Sequence, residues 1–267
     1  MLSQYDLYKA SWRPRFIGWL IHAFTASGAF VGLLALLAIY QHNLLFALWL
    51  MCATILIDAV DGMFARMVRI KEVVPEIDGA LLDNIVDFFT YTLVPCFFLL
   101  VTDLLPTFCR VLCVMAITFS SAYQFTQIDA KTTDHFFKGF PSYWNIAVFY
   151  LFFWQMSSLT NVFILLFLAI LSFVPIKYVY PSRLDYLTNN KWLRLCMAII
   201  TVLWGASTCG LLWLYPQSNH LLVAVSVGYM ILYIGISLYR TWVPLENDSA
   251  SAKPLSTALT DSLDRSA

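Results

Sequence analysis

Long apolar runs follow one another along almost the whole chain: Phe16–Tyr40, Leu44–Phe64, Ala80–Thr102, Thr107–Ile128, Tyr143–Met156, Val162–Val179, Trp192–Leu214 and Leu221–Tyr239. A run of roughly 18 or more apolar residues reads as a membrane-spanning helix. Most of these meet that length, and only the fifth is clearly short for a crossing. Composition agrees, with 60% apolar and 12% charged residues against about 45–50% and 25% in an average globular domain. The first run is too long for a cleaved signal peptide, and no small-residue cleavage site precedes a soluble domain. Six cysteines lie in or beside the runs without paired loop spacing, so they read as small buried hydrophobes. Sixteen basic and sixteen acidic residues cancel, which leaves no basic excess for nucleic acid. The expected fold is an all-α, polytopic membrane helical bundle of about eight transmembrane helices.

The cations orient it. With the N-terminus inside, fifteen of the sixteen Lys and Arg fall on the inner side and only Arg110 on the outer. That is a strong positive-inside pattern, and it requires an even number of crossings with both termini cytoplasmic. Seven or nine crossings would break the alternation; six with two re-entrant pairs would keep it. Residues 1–15 mix Tyr5, Leu7, Tyr8 and Trp12 with Lys9, Arg13 and Arg15, which suits a short interfacial helix broken at Pro14. Residues 16–240 form the membrane domain. Residues 241–267, Ser- and Ala-rich from Glu246 on, read as a disordered cytoplasmic tail.

Against this apolar background four aspartates stand out. Ionisable residues within membrane helices are costly and mark candidate sites. Asp58 and Asp61 fall near the inner end of the second run, Asp83 and Asp87 near the inner start of the third. Spacings of three and four place each pair on one helical face, and antiparallel neighbours would bring all four to one depth. Uncompensated, such anions repel; divalent Mg2+ or Mn2+, which take hard oxygen ligands, would relieve that. Two readings compete with a metal site. A single aspartate would be interfacial and solvated, and a transporter would use acids as a cation or proton relay. A relay spreads its acids through the membrane, whereas these stay on one side.

The neighbouring residues narrow the chemistry. Gly62 and Gly79 flank the acids and permit close approach. Ala65 keeps the helix face narrow, and Arg66 can present its guanidinium fork to phosphate oxygens. Two ions and one guanidinium suit a diphosphate, with displacement at phosphorus.

Written out, the stretch is D-A-V-D-G-M-F-A-R, twelve residues, then G-A-L-L-D-N-I-V-D. It resembles the signature of the CDP-alcohol phosphatidyltransferase family, D-x-x-D-G-x-x-A-R followed by G-x-x-x-D-x-x-x-D, with all eight specified positions present. The long spacer is similar to that of the bacterial, choline-using branch. So are H-A-F-T-A-S-G (His22–Gly28), R-I-K-E-V-V-P (Arg69–Pro75), D-N-I-V-D-F-F-T-Y (Asp83–Tyr91) and F-F-K-G-F-P-S-Y-W-N (Phe136–Asn145). The likeness extends over about residues 15–190.

The resemblance implies a bacterial inner-membrane enzyme, a homodimer, that moves a phosphatidyl group from CDP-diacylglycerol to the hydroxyl of choline. It implies two Mn2+ or Mg2+ ions, with Asp58, Asp61 and Asp83 as ligands and Asp87 as both a ligand of the second ion and the general base. Gly62 and Arg66 would contact the diphosphate. Thr25 and His22 would lie near the cytidine, where relatives carry Asn-x-x-Thr; His replaces Asn here. A quaternary ammonium offers no N–H, so aromatic faces should recognise it; Tyr91, Tyr123, Tyr143 and Trp144 are the candidates at the right depth. For each taken singly, an ordinary interfacial aromatic is the weightier reading, since Tyr and Trp gather at membrane interfaces and aromatics make up 16% of the chain. Asp129 and Asp134 could add negative field at the cavity mouth, or be ordinary loop residues beside Lys131. Sibling enzymes using serine, inositol or glycerol phosphate remain open. A phosphorylated acceptor would call for arginines near Phe136–Asn145, where only Lys138 occurs.

Overall fold

The computed structural model describes residues 12–128, 136–179, 190–217 and 219–243. In chain order its helices are α1 (Trp12–Tyr40), α2 (Leu44–Val68), the single turn α3 (Ile70–Val73), α4 (Gly79–Val101), α5 (Arg110–Thr126), α6 (Trp144–Trp154), α7 (Ser158–Leu171), α8 (Lys191–Leu214) and α9 (His220–Trp242). Helices α1, α2, α4, α8 and α9 are long and apolar enough to cross a membrane. The other three are shorter: α5 has 17 residues, α6 has 11 and α7 has 14, or roughly 25, 16 and 21 Å at 1.5 Å per residue. None of these three alone matches a hydrocarbon core about 30 Å thick. Among the described residues, five full-length helices and three shorter ones correspond to the about eight expected spans, in keeping with a polytopic helical membrane protein.

Two boundaries differ from expectation for reasons of proline chemistry. Pro14 does not break the first helix, which is continuous from Trp12. Pro14 lies in the first turn, where backbone N–H groups have no intrahelical acceptor in any case. The sixth run does not stay helical to Val179, because Pro175 cannot donate and disfavours helix in the residue before it. After α7 the chain turns, and Lys177–Tyr178 pairs antiparallel with Phe137–Lys138 as a two-residue ladder. The segment before Trp12, the tail from Glu246, and Asp129, Lys131 and Asp134 lie outside the described residues.

The apolar core fills the half of the bundle nearest the α1–α2 turn. Ala38 and Ile39 of α1 meet Leu48 and Met51 of α2, Phe98 and Leu99 of α4, and Val148 of α6 there. Asn43 caps α2 at that turn, accepting from Phe46 N at 3.4 Å. The other half is held by small residues: a Cβ on Gly28 would lie 3.0 Å from Val86 Cγ1, and one on Gly32 only 2.8 Å from the Phe89 ring. This Gly-x-x-x-Gly spacing lets α4 lie directly on α1.

Midway, α4 widens into a π-turn at Phe88–Leu93. Pro95, at the start of the α-helix that follows, has no N–H for the carbonyl of Tyr91, and a π-turn is one way a helix absorbs such a gap.

Arg110, the one cation expected on the outer side, lies at the opposite end of α4 from Arg66. Its guanidinium donates to Leu100 O at 3.1 Å and Leu105 O at 3.0 Å and pairs with Asp103 at 3.2 Å, tying the α4–α5 turn. Helices α8 and α9 pack mainly on each other and expose Trp192, Val202 and Ile231, as lipid-facing helices do. They join the bundle by polar contacts: Trp204 Nε1 donates to Tyr150 OH at 2.9 Å, Tyr150 OH meets Ser226 Oγ at 2.5 Å, and Ser237 Oγ accepts from Val179 N at 3.2 Å.

Candidate active site

Local signals bring α2 and α4 together at their polar ends. Arg69 adopts a left-handed conformation, φ 52° and ψ 52°, and its N–H returns to Ala65 O and Arg66 O, which ends α2. After α3, Asp78 starts α4 by accepting from Ala80 N at 3.0 Å and Leu81 N at 3.1 Å, an N-cap. The twelve-residue spacer is therefore a compact reversal. Its Ile70, Val73 and Val74 are buried, Val74 packing where Gly18 of α1 leaves room. Arg15 of α1 pairs with Glu76 at 2.5 Å; both side chains are largely exposed, so the pair orients more than it stabilises.

Three carboxylates meet as a result. One oxygen from each of Asp58, Asp83 and Asp87 lies within 4.8 Å of the others, and all three residues are half-buried. Asp61 is not in this trio. It is buried and faces Thr25 of α1, the Gly62 amide and Arg66. The reason is helical geometry: a three-residue step leaves Asp61 about 60° around the axis from Asp58 and about 4.5 Å along it, turned towards α1. The four-acid convergence expected from spacing becomes a trio with a fourth acid one turn away. Three hard oxygen donors at this separation, drawn from two helices, are a fitting set for a divalent cation.

Around the acids, Gly62 and Gly79 both act through space. A Cβ on Gly62 would lie 3.3 Å from Arg66 Nη1, so its absence admits the exposed guanidinium beside Asp61. A Cβ on Gly79 would lie 3.0 Å from His22 Cε1. His22 and Thr25 thus form the α1 wall of the site, and both are buried. His22 Nε2 has no hydrogen-bond partner among the described residues. Ala65 is half-buried, and its carbonyl receives the Arg69 cap.

The four aromatic candidates separate. Tyr91, one turn beyond Asp87, donates its hydroxyl to Asp58 Oδ2 at 2.6 Å. Its ring packs on Tyr143, centroids 6.0 Å apart and planes at 44°. Trp144 is fully buried, with Nε1 donating to Ser121 Oγ at 2.7 Å and its ring edge-on to Phe140. Tyr143 precedes the first residue of α6 and packs on Tyr91, while Trp144, the first helical residue, turns into the core. Tyr123 is exposed and lies against Phe173, centroids 4.8 Å apart. Of the four, Tyr91 bonds a carboxylate directly and Tyr143 packs on the Tyr91 ring.

Tyr143 is delivered by the segment Phe136–Tyr143. Gly139 has φ +82°, and a Cβ there would collide with the Ser172 carbonyl, so no other residue fits without displacing the loop. Gly139 N donates to Ile176 O at 2.9 Å, Phe140 N to Leu171 O at 3.1 Å and Gln124 Nε2 to Lys138 O at 2.9 Å.

Several positioning residues escaped the sequence reading although signals existed. Asp78 directly precedes an apolar helical run, which marks an N-cap. Gly28 and Gly32 have Gly-x-x-x-Gly spacing. Tyr91, expected as an aromatic face, also continues the Asp83–Asp87 stripe by four more residues, which is the signal for the unexpected bond from its hydroxyl to Asp58.

A scan against protein-family models returns no match. Curated relatives do match. The chain is 53% identical over 231 residues to a phosphatidylcholine synthase of Legionella pneumophila, covering 86% of this chain and 91% of that one. It is 52% identical over 217 residues to a phosphatidylcholine synthase of Legionella bozemanae, covering 81% of this chain and 100% of the other. A phosphatidylcholine synthase of Pseudomonas aeruginosa is 31% identical over 223 residues, 84% of this chain and 91% of its own length. With a motif-bearing acidic cluster in a helical membrane bundle and relatives matched along most of their length, the chain belongs to the phosphatidylcholine synthase family of CDP-alcohol phosphatidyltransferases.

Proposed function

We propose that this chain transfers the phosphatidyl group of CDP-diacylglycerol to the hydroxyl of choline, producing phosphatidylcholine and CMP. The observation that carries the reading is the meeting of Asp58, Asp83 and Asp87 within 4.8 Å, with Asp61 one helical turn along α2 and Arg66 beside Asp61. The enzyme works in the bacterial inner membrane as a homodimer, with both termini and the acidic cluster on the cytoplasmic side. CDP-lipid then enters sideways from the leaflet while choline arrives from water.

Mn2+ or Mg2+ would be held by Asp58, Asp61, Asp83 and Asp87. When bound, two such ions supply charge neutralisation of the diphosphate and of the departing CMP. The chain's own groups do the rest. Arg66 and the Gly62 backbone bind the diphosphate, and Thr25 and His22 line the cytidine side. Asp87 accepts the proton of the choline hydroxyl as its oxygen attacks the phosphatidyl phosphorus. The bond from that phosphorus to the bridging oxygen of CMP breaks, and the electron pair leaves with CMP. The rings of Tyr91 and Tyr143 offer π-faces to the quaternary ammonium. Trp144 and Tyr123 keep the roles given by their core and surface contacts.

The deciding experiment supplies purified protein in detergent with CDP-diacylglycerol and, separately, choline, serine, inositol and glycerol phosphate, and measures CMP. Release with choline is expected. Release only with another alcohol would assign a sibling activity, and none with any acceptor would favour a carrier. Within the reaction, Arg66→Ala is expected to raise KM for CDP-diacylglycerol by about 10–100-fold, the worth of one or two charge-assisted hydrogen bonds. The KM for choline should move little; the opposite split would remove Arg66 from the diphosphate.

A further inference from the structure

Tyr91 does more in this structure than offer a ring. Its hydroxyl is 2.6 Å from Asp58 Oδ2, a short, charge-assisted bond, and the residue is 5% exposed. The bond runs between α4 and α2, residues 33 positions apart, and so links the two helices whose carboxylates must meet. The π-turn starts directly after Asp87 and contains Tyr91, and Tyr143 packs against the ring. A carboxylate brought close to two others is repelled by them until a cation arrives. Without a restraint, Asp58 would relieve that repulsion by rotating away.

We propose that Tyr91 is a positioning residue for Asp58: its hydroxyl holds the carboxylate in the rotation that faces Asp83 and Asp87, so that the cation site exists before the cation binds. A phenol suits the task, since it donates a hydrogen bond without bringing positive charge that would compete with the ion. Groups that orient a ligand in this way are worth about 10–100-fold in metal affinity when removed. The proposal rests on the metal-dependent reading of the site above, and it assigns the hydroxyl a task separate from that of the ring.

The test compares wild type with Tyr91→Phe, which keeps the ring on Tyr143, and Tyr91→Leu, which removes both. Mn2+ binding to purified protein without substrate is read from the loss of the free-ion EPR signal, alongside kcat and the KM for choline. Tyr91→Phe should weaken Mn2+ binding by about 10–100-fold. It should lower kcat at limiting Mn2+, recover at high Mn2+, and leave the choline KM within about twofold. Tyr91→Leu should lose the same factor in Mn2+ affinity and also raise the choline KM. Unchanged Mn2+ affinity in both variants would overturn the proposal, most directly if the choline KM rose in Tyr91→Phe, because the hydroxyl would then belong to the acceptor. Wild-type protein that binds no Mn2+ would overturn the metal reading itself, and the proposal with it. A loss of kcat that no Mn2+ concentration restores would likewise reject a positioning role.

Discussion

Asp87→Asn is expected to remove phosphatidyl transfer almost completely while leaving the protein folded. The loss should be at least the 10²–10⁴-fold, roughly, that a positioned general base contributes. The side chain keeps its size, and its place on α4 between the N-cap at Asp78 and the π-turn is set by backbone interactions that an amide does not disturb. What disappears is the one acid assigned both a proton to accept and an ion to hold. The measurement is CMP release from CDP-diacylglycerol and choline, with helical content and melting temperature as controls. Wild-type turnover by the purified variant would reject Asp87 as the base.

Removing divalent ions is expected to have an effect of the same order, because the cluster then has no charge to offset its own repulsion. Three carboxylates with oxygens inside 4.8 Å either bind a cation or take up protons; in neither the empty nor the protonated state can they neutralise a diphosphate. EDTA should therefore stop CMP release, and excess Mn2+ or Mg2+ should restore it. Without substrate, saturating Mn2+ should raise the melting temperature, since an ion at a hundred times its Kd stabilises the native state by about 2.7 kcal/mol. Full activity in EDTA after extensive dialysis would count against the metal-dependent mechanism.

Much of the architecture is readable in one dimension because membrane helices answer to local rules. The starts of α2, α8 and α9, at Leu44, Lys191 and His220, fall within a residue of the apolar runs, since the bilayer leaves the backbone few alternatives to helix. Misjudged positions have local causes of their own. Pro14 sits where a missing N–H costs nothing, and Pro175 sits where it ends helical structure. The short α6 and α7 depart from a full crossing because neighbouring helices, rather than lipid alone, surround them: Val148, Leu151 and Leu165 are buried among other side chains.

The candidate site divides along the same line. Spacings of three and four within α2 and α4, and the flanking Gly62, Ala65, Arg66 and Gly79, are properties of single helices, so the acidic motif and its chemistry were legible from the chain alone. So was the solvent, because a sequence this apolar has no soluble alternative. The contacts between segments were not. That Asp58 joins Asp83 and Asp87 while Asp61 turns to Thr25, that Tyr143 packs on Tyr91 while Trp144 enters the core, and that the Tyr91 hydroxyl ends on Asp58, all depend on how α1, α2, α4 and α6 rotate and approach. Those rotations are set by close packing at Gly28, Gly32 and Gly139, where a few tenths of an ångström between distant residues select one arrangement, and no periodicity within a single segment carries that information.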